Sequence, residues 1–311
     1  MQRLTLAGGI PETLRGSIVA LGNFDGFHLG HQAVVGRAIQ RRFHERRPVI
    51  VATFDPHPVK YFKPDVPPFR LTTLDQRQEL FAHAGADAML VFHFDAEMAA
   101  TSSTDFISEI LAKQIGAAGV VTGDDFTYGK GRTGSVEELR QVGAQHGIIA
   151  EAVAPVLIDG ERVSSGRIRE ALAAGDIGHA THLLTRDFAI EGVVQRGDAR
   201  GRELGYPTAN LELGDYQRPR YGIYAVRVTL NDGTEHPGVA SFGVRPTFQP
   251  PQELLEAHLF DVDADLYGQN IEVALHAFIR EELKFDSLDA LISEMKRDEA
   301  EARRLLALSS A

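Results

Sequence analysis

The chain contains no cysteine, so disulfides, thiolate zinc sites and a cysteine nucleophile are all removed from consideration. No stretch reaches the ~20 apolar residues of a membrane-spanning helix. The N-terminus also lacks the basic segment and apolar core of a signal peptide, so none is expected. Basic residues are the minority: 32 Lys and Arg against 43 Asp and Glu give a formal net charge of −11. That balance argues against broad electrostatic binding of nucleic acid, although a local basic groove would escape it. A cytoplasmic enzyme acting on small molecules is the expectation, with no membrane partner and with oligomeric state left open.

What is present is a globular composition, 43% hydrophobic and 24% charged over 311 residues. That length exceeds one typical core, so two domains are expected. In the first half, apolar runs at 18–21, 49–54, 88–92, 119–122 and 148–158 alternate with helix-period segments, which predicts a doubly wound parallel sheet. Helices are expected from Gly30 onward and over 74–84, 106–115, 135–145 and 165–173. Ser102 with Asp105, and Ser135 with Glu138, are spaced as capping boxes. Near Leu183 the period changes from helical to alternating. Strands at 188–195, 208–213, 222–230, 236–242, 254–260 and 270–280 predict a small antiparallel β-barrel, followed by a helix with one apolar stripe from Leu288 to Leu306. The expected domains are residues 1–183 and 187–311.

In an open parallel sheet, ligands collect beyond the carboxyl ends of the strands, and every marked motif of the first half follows a strand. The run Ile18–Leu21 leads into GNFDGFHLGHQ, where Gly22, Gly26 and Gly30 lie between strand and helix. Backbone amides and a positive dipole end are available to an anion there. His28 and His31, at the helix mouth, can stabilise charge on a transferring phosphoryl group. FDPHP holds His57 between two prolines and reads as a rigid turn. GDDFTYGKGRTG offers the Asp125 carboxylate, Phe126 and Tyr128 as flat surfaces and glycines for close backbone approach, or else is a flexible loop. VSSGRIREAL sets Ser164 and Ser165 at a helix start with Arg169 inside it, an arrangement suited to phosphate oxygens or to an ordinary N-cap.

The second half has its own phosphate chemistry in GDARGRELGYPTANL. Gly197, Gly201 and Gly205 with Arg202 could wrap a polyphosphate. Pro207 fixes the chain so that Thr208 and Asn210 present oxygens, hard ligands suited to magnesium, on one face of a strand. The alternative is a glycine-rich barrel corner. Glu256, inside the apolar LLEAHLFD, is either an outward-facing carboxylate or a base for a hydroxyl, and alternation does not separate the two.

The string GNFDGFHLGHQ resembles the HxGH signature of nucleotidylyltransferases, in the version carried by the bacterial bifunctional riboflavin kinase and FAD synthetase family. That resemblance covers residues 15 to 175. It implies that His28 and His31 contact ATP phosphates and that Gly22, Asn23, Phe24, Asp25 and Gly30 hold the nucleotide. It further implies that Asp125, Phe126 and Tyr128 belong to the flavin or metal region, and that Ser164, Ser165 and Arg169 close over the triphosphate. The family usually carries a third hydroxyl where Gly166 stands. Downstream, GRELGYPTAN, YGIYAV, RPTF, LEAHLFD, DLYG and IREELKFDSL resemble the riboflavin kinase module over 188–300. This likeness implies that Thr208 and Asn210 hold Mg2+ and ATP phosphate while Glu256 takes the ribityl hydroxyl proton. Thr185, Asp187 and Arg196 depart from the usual pattern at a linker and a loop rim.

The implied function is phosphorylation of riboflavin to FMN in the C-terminal domain, then adenylylation of FMN to FAD in the N-terminal one, with ATP as donor in both and pyrophosphate released in the second. In-line transfers of this kind need positioning and charge neutralisation rather than a covalent intermediate. Two rivals are a flavin-binding regulator with decayed catalysis and a nucleotidylyltransferase for another acceptor. Intact His28, His31, Thr208, Asn210 and Glu256 oppose the first, and the PTAN module opposes the second.

Overall fold

The computed structural model describes residues 1–196, 206–245, 252–262 and 264–308. The chain forms two compact units, Met1–Pro67 with Thr73–Ser164 and Pro68–Thr72 with Ser165–Ala311.

The first unit is built on a six-stranded sheet of order β1-β4-β3-β2-β5-β6, parallel throughout. Its strands are β1 (Gln2–Thr5), β2 (Ile18–Leu21), β3 (Val49–Asp55), β4 (Ala88–His93), β5 (Gly119–Gly123) and β6 (Ile149–Val153). The central strands are apolar along their length because both faces are covered. Ile18, Ala20, Val49, Val51 and Met89 pack with α1 (Leu29–Glu45) and with Phe81 of α2 (Leu74–His83). Val19, Leu21, Ile50, Ala52 and Leu90 pack with the helix Phe106–Ile115 and with Leu139 of α3 (Val136–Gln145). The chain leaves β2 toward one edge and returns at β5 to fill the other, so the order reverses between β2 and β5. The glycine-rich motifs after both strands therefore stand at the switch point where such sheets bind ligands.

Several expectations are modified. The run 148–158 breaks after β6, because Pro155 has no N–H for a ladder. The chain then makes a short hairpin of β7 (Leu157–Ile158) and β8 (Glu161–Arg162). Edge strand β1 was unforeseen, since Leu4 is its one buried residue. Ser135 caps α3 by accepting from the Glu138 N–H at 3.2 Å. The Glu138 carboxylate, however, accepts from the Ser103 hydroxyl at 2.8 Å instead of returning to the cap.

The second unit is an antiparallel six-stranded sheet of order β10-β13-β12-β11-β14-β9. Its strands are β9 (Phe188–Val193), β10 (Ala209–Glu212), β11 (Gly222–Thr229), β12 (Glu235–Arg245), β13 (Gln252–Leu259) and β14 (Asn270–Arg280). Just beyond β9, the Gln195 N–H donates to the Asn210 carbonyl at 2.9 Å, which joins the two outer strands and closes the sheet into a barrel. Helices α4 (Ser165–Ala174) and α5 (Ile177–Leu184) precede it. Ile177, Ala180, Leu183 and Leu184 of α5 are buried. Helix α6 (Leu288–Leu308) lays Ala302 and Leu306 on Ala225 and Phe260. The expected stripe fails at its first residue, Leu288, which is 55% exposed. Residues 68–72 attach to this unit: the Arg70 N–H donates to the Asp215 carbonyl at 2.9 Å, and the Gln217 N–H donates to the Arg70 carbonyl at 2.7 Å.

Candidate functional site

In the first unit the site begins where β2 ends. The Gly22 N–H still donates to the Ala52 carbonyl at 3.2 Å, and the loop then closes with the Phe27 N–H on the Phe24 carbonyl at 3.1 Å. Phe24 (φ 51°) and Phe27 (φ 43°) adopt the left-handed conformation that bulky residues avoid. Their rings hold the backbone there by packing edge-on against Phe81, at 5.6 and 5.1 Å between centroids. The Phe24 ring is therefore core rather than a surface for the nucleotide, and only its backbone remains for that role. Asp25 is likewise buried, at 3% exposure. A Cβ on Gly22 would stand 3.2 Å from the Phe24 ring, so glycine there serves the loop's own packing.

His28 is the N-cap of α1, its Nδ1 accepting from the His31 N–H at 3.3 Å. An accepting Nδ1 assigns the proton of the neutral ring to Nε2. The His31 ring stacks on His28 at 3.7 Å and 16°. The first turn of α1 carries no acidic residue, which leaves the positive dipole end of the helix unneutralised from within that turn. Gly30 makes this arrangement possible: a Cβ there would lie 3.1 Å from His28 Cε1. His57 takes the plain role of capping a short helix, accepting from the Val59 N–H at 3.2 Å.

The GDDFTYGKGRTG motif is a pinned hairpin rather than a flexible loop, with Tyr128 and Gly134 exchanging backbone hydrogen bonds of 3.3 and 2.9 Å. A Cβ on Gly129 or Gly134 would meet protein atoms at 2.7 Å, so packing accounts for both glycines. Tyr128 is 5% exposed, lies parallel to Phe126 at 5.8 Å and touches Phe106. It packs with the core of the first unit. Its hydroxyl is buried with no hydrogen-bond partner among the described residues, and burial, reinforced by the Glu138 charge, pushes its pKa up. Tyr128→Phe is accordingly expected to hold or raise thermal stability, by as much as about 1–3 kcal/mol, with an unchanged KM for FMN. A raised KM would return Tyr128 to the flavin site. Asp125 is exposed and pairs with Arg162 at 2.9 Å, and Asp124 pairs with the same guanidinium. Arg162 carried no sequence signal.

Ser164 falls in the first unit, whereas Ser165 and Arg169 fall in the second. Arg169 Nε donates to the Phe69 carbonyl at 2.7 Å, and its guanidinium lies 5.0 Å from the centre of the Phe69 ring.

In the barrel, strand register assembles the second site. Asn210 on β10 stands opposite Glu256 on β13, which stands opposite Ser241 on β12. Residues directly opposite share a face, so the three form a row across adjacent strands. Asn210 is 5% exposed, and its side-chain Oδ1 is buried without a partner among the described residues, an unmet acceptor facing a place for a donor or a cation. His258, two residues beyond Glu256 and on the same face, interacts with the Pro207 carbonyl through Nδ1 at 2.8 Å and so holds the PTAN segment. Sequence reading missed Ser241 and His258, although strand alternation couples His258 to Glu256. Among the described residues no three His, Asp or Glu side chains gather as a metal site. Gly197, Gly201, Arg202 and Gly205 lie outside the described residues, as do Pro246, Thr247 and Phe248 of RPTF.

The FAD synthetase family pattern matches residues 10–167, and the riboflavin kinase pattern matches 184–306. The chain is 39% identical over 295 residues to the bifunctional riboflavin kinase/FMN adenylyltransferase of Escherichia coli strain K12, covering 94% of each. It is 39% identical over 297 residues to the Pseudomonas fluorescens protein of the same name, covering 95% of each. The Listeria monocytogenes protein of that name is 35% identical over 302 residues, with 93% of this chain and 92% of that one covered. A crystal structure titled a macrolide-efflux protein, from Streptococcus pneumoniae, aligns with a TM-score of 0.87 at 29% identity over 97% of this chain and 99% of that one. No described helix of the present chain is long and apolar enough to cross a membrane.

Proposed function

This chain belongs to the bifunctional riboflavin kinase/FMN adenylyltransferase family, making FMN from riboflavin and FAD from FMN, and from that membership we propose which residues carry each step. For adenylylation, the GNFDG backbone and the N-terminal end of α1 receive ATP phosphates, and His28 Nε2–H and His31 stabilise the charge that develops as pyrophosphate leaves. For phosphorylation, Glu256 accepts the proton of the ribityl hydroxyl as that oxygen attacks the terminal phosphate, while Asn210 and Thr208 orient the polyphosphate. One observation in each unit carries this reading: the committed Nδ1 of His28, and the unmet Oδ1 of Asn210 beside Glu256.

The neutral oxygens of Thr208 and Asn210 fit Mg2+, which characteristically keeps few protein ligands and completes its shell with phosphates and water. When bound it would neutralise polyphosphate charge. We place both reactions in the cytoplasm, where ATP is supplied. The test is to incubate the full chain with riboflavin, ATP and magnesium and follow products by chromatography. FMN followed by FAD is expected; FMN alone would remove the N-terminal assignment, and FAD formed only from added FMN would remove the kinase one.

We further propose that the functional boundary lies between residues 183 and 187, so that residues 187–311 suffice to make FMN. A fragment starting at Ser165 retains α5 and its four buried apolar residues. At roughly 1.5–3 kcal/mol per large buried side chain and about 3 °C per kcal/mol, it should melt at least ~10 °C above the shorter one. Calorimetry with a riboflavin kinase assay checks both. A folded but inactive 187–311 fragment would refute the boundary.

A further inference from the structure

We infer that Arg77 and Thr53, which no sequence motif marks, form a clamp that aims the backbone of the GNFDG loop at the phosphates of ATP. The inference rests on reading that loop as the nucleotide site. The Asn23 carbonyl accepts two hydrogen bonds, from Thr53 Oγ1 at 2.7 Å and from Arg77 Nη1 at 3.2 Å. The same Nη1 donates to Thr53 Oγ1 at 2.9 Å, and Arg77 Nε donates to the Thr73 carbonyl at 3.3 Å. Both residues are buried, Thr53 at 0% and Arg77 at 3% exposure. Arginine is almost never this deep unless its hydrogen bonds are committed, and two of those here converge on one loop carbonyl and the hydroxyl that also holds it.

The consequence lies in the next atom of the chain. A trans peptide holds its C=O and N–H on opposite sides, so drawing the Asn23 carbonyl toward β3 and α2 turns the Phe24 N–H away from Thr53 and Arg77. Neighbouring amides are spent inside the protein, Gly22 on Ala52 and Phe27 on Phe24. The Phe24 N–H has no acceptor among the described residues, although the residue is only 1% exposed. Orphaned buried amides are rare, and this one sits in the loop that leads to the cap of α1. It is a donor reserved for an anionic oxygen, polarised by the clamp through its own peptide group. Arg77 and Thr53 are thus positioning residues for adenylylation.

The test uses the full chain with Thr53→Val, Thr53→Ser, Arg77→Met and His28→Ala. FMN adenylylation is measured for kcat and for KM toward ATP and FMN, with riboflavin phosphorylation and the thermal midpoint measured on the same preparations. Thr53→Val and Arg77→Met are expected to lower kcat/KM for ATP by about 10- to 100-fold, the scale of a small misplacement of reacting groups. KM for FMN and the kinase activity should stay near wild type. Thr53→Ser, which keeps the hydroxyl, should recover adenylylation. The clamp is refuted if Thr53→Val adenylylates normally, or if Thr53→Ser is as impaired as Thr53→Val, which would make the methyl packing decisive. Should Arg77→Met not fold, the Thr53 pair decides alone. If His28→Ala adenylylates normally, the loop is not the nucleotide site and both readings fall. If only the Thr53 and Arg77 variants are normal, the clamp falls by itself.

Discussion

His28→Ala is expected to lower FAD formation by roughly 100-fold or more, as loss of a preorganised donor does in other active sites, while FMN formation stays near wild type. The geometry gives His28 two separable duties. Its Nδ1 caps α1, which is worth about 1 kcal/mol, and its Nε2–H is the proposed phosphate donor. His28→Asn can restore the cap through its side-chain oxygen without restoring that donor at the ring's reach. The asparagine variant should therefore regain thermal stability over the alanine variant but remain inactive in adenylylation. His31→Ala should impair the same step, since its ring stacks directly on His28. Equal loss of both activities would instead mean that the histidines support the fold.

Glu256→Gln is expected to cost the kinase roughly 100- to 10,000-fold in turnover, the contribution of a positioned general base. The substitution keeps shape and hydrogen-bonding length and removes only the proton acceptor. Riboflavin affinity should remain close to wild type, and adenylylation of supplied FMN should be untouched. The row Asn210–Glu256–Ser241 favours this outcome over that of a surface carboxylate, because Glu256 is flanked on both neighbouring strands by polar side chains of the same face. Wild-type turnover, or parallel loss of both activities with a lowered thermal midpoint, would take Glu256 out of the mechanism.

Periodicity carried most of the architecture. Parallel strands buried on both faces produce unbroken apolar runs such as Ile18–Leu21, and half-buried barrel strands produce alternation such as Tyr224, Val226 and Val228. Where burial is one-sided and short, as in β1, the pattern has nothing to repeat. The aromatic residues of the glycine-rich motifs illustrate a different limit. Phe24 and Tyr128 are surrounded by residues that break any hydrophobic period, so their sequence context does not distinguish a ring that meets a ligand from one that fills the core. The histidines were legible because the strand, the turn and the helix start together dictate where they stand. Arg77 was not: in LDQRQEL it reads as one more solvated charge on an amphipathic helix, and only the packed structure turns it inward. Ser241 required strand register, which alternation alone does not supply, whereas His258 shares a face with Glu256 by alternation but carried no motif to single it out.

Residues 68–72 carry a consequence for how this gene can be divided. Arg70 is stitched by its backbone to Asp215 and Gln217 of the barrel unit, yet the residues on either side of 68–72 belong to the other unit. The chain therefore changes unit three times rather than once. No single cut yields two complete halves: an N-terminal product ending near residue 164 keeps a strap that belongs to the barrel, and the C-terminal product loses it. Exchanging either module between relatives therefore preserves this packing only if the five-residue segment travels with the barrel it binds, while the kinase activity itself is assigned to residues 187–311.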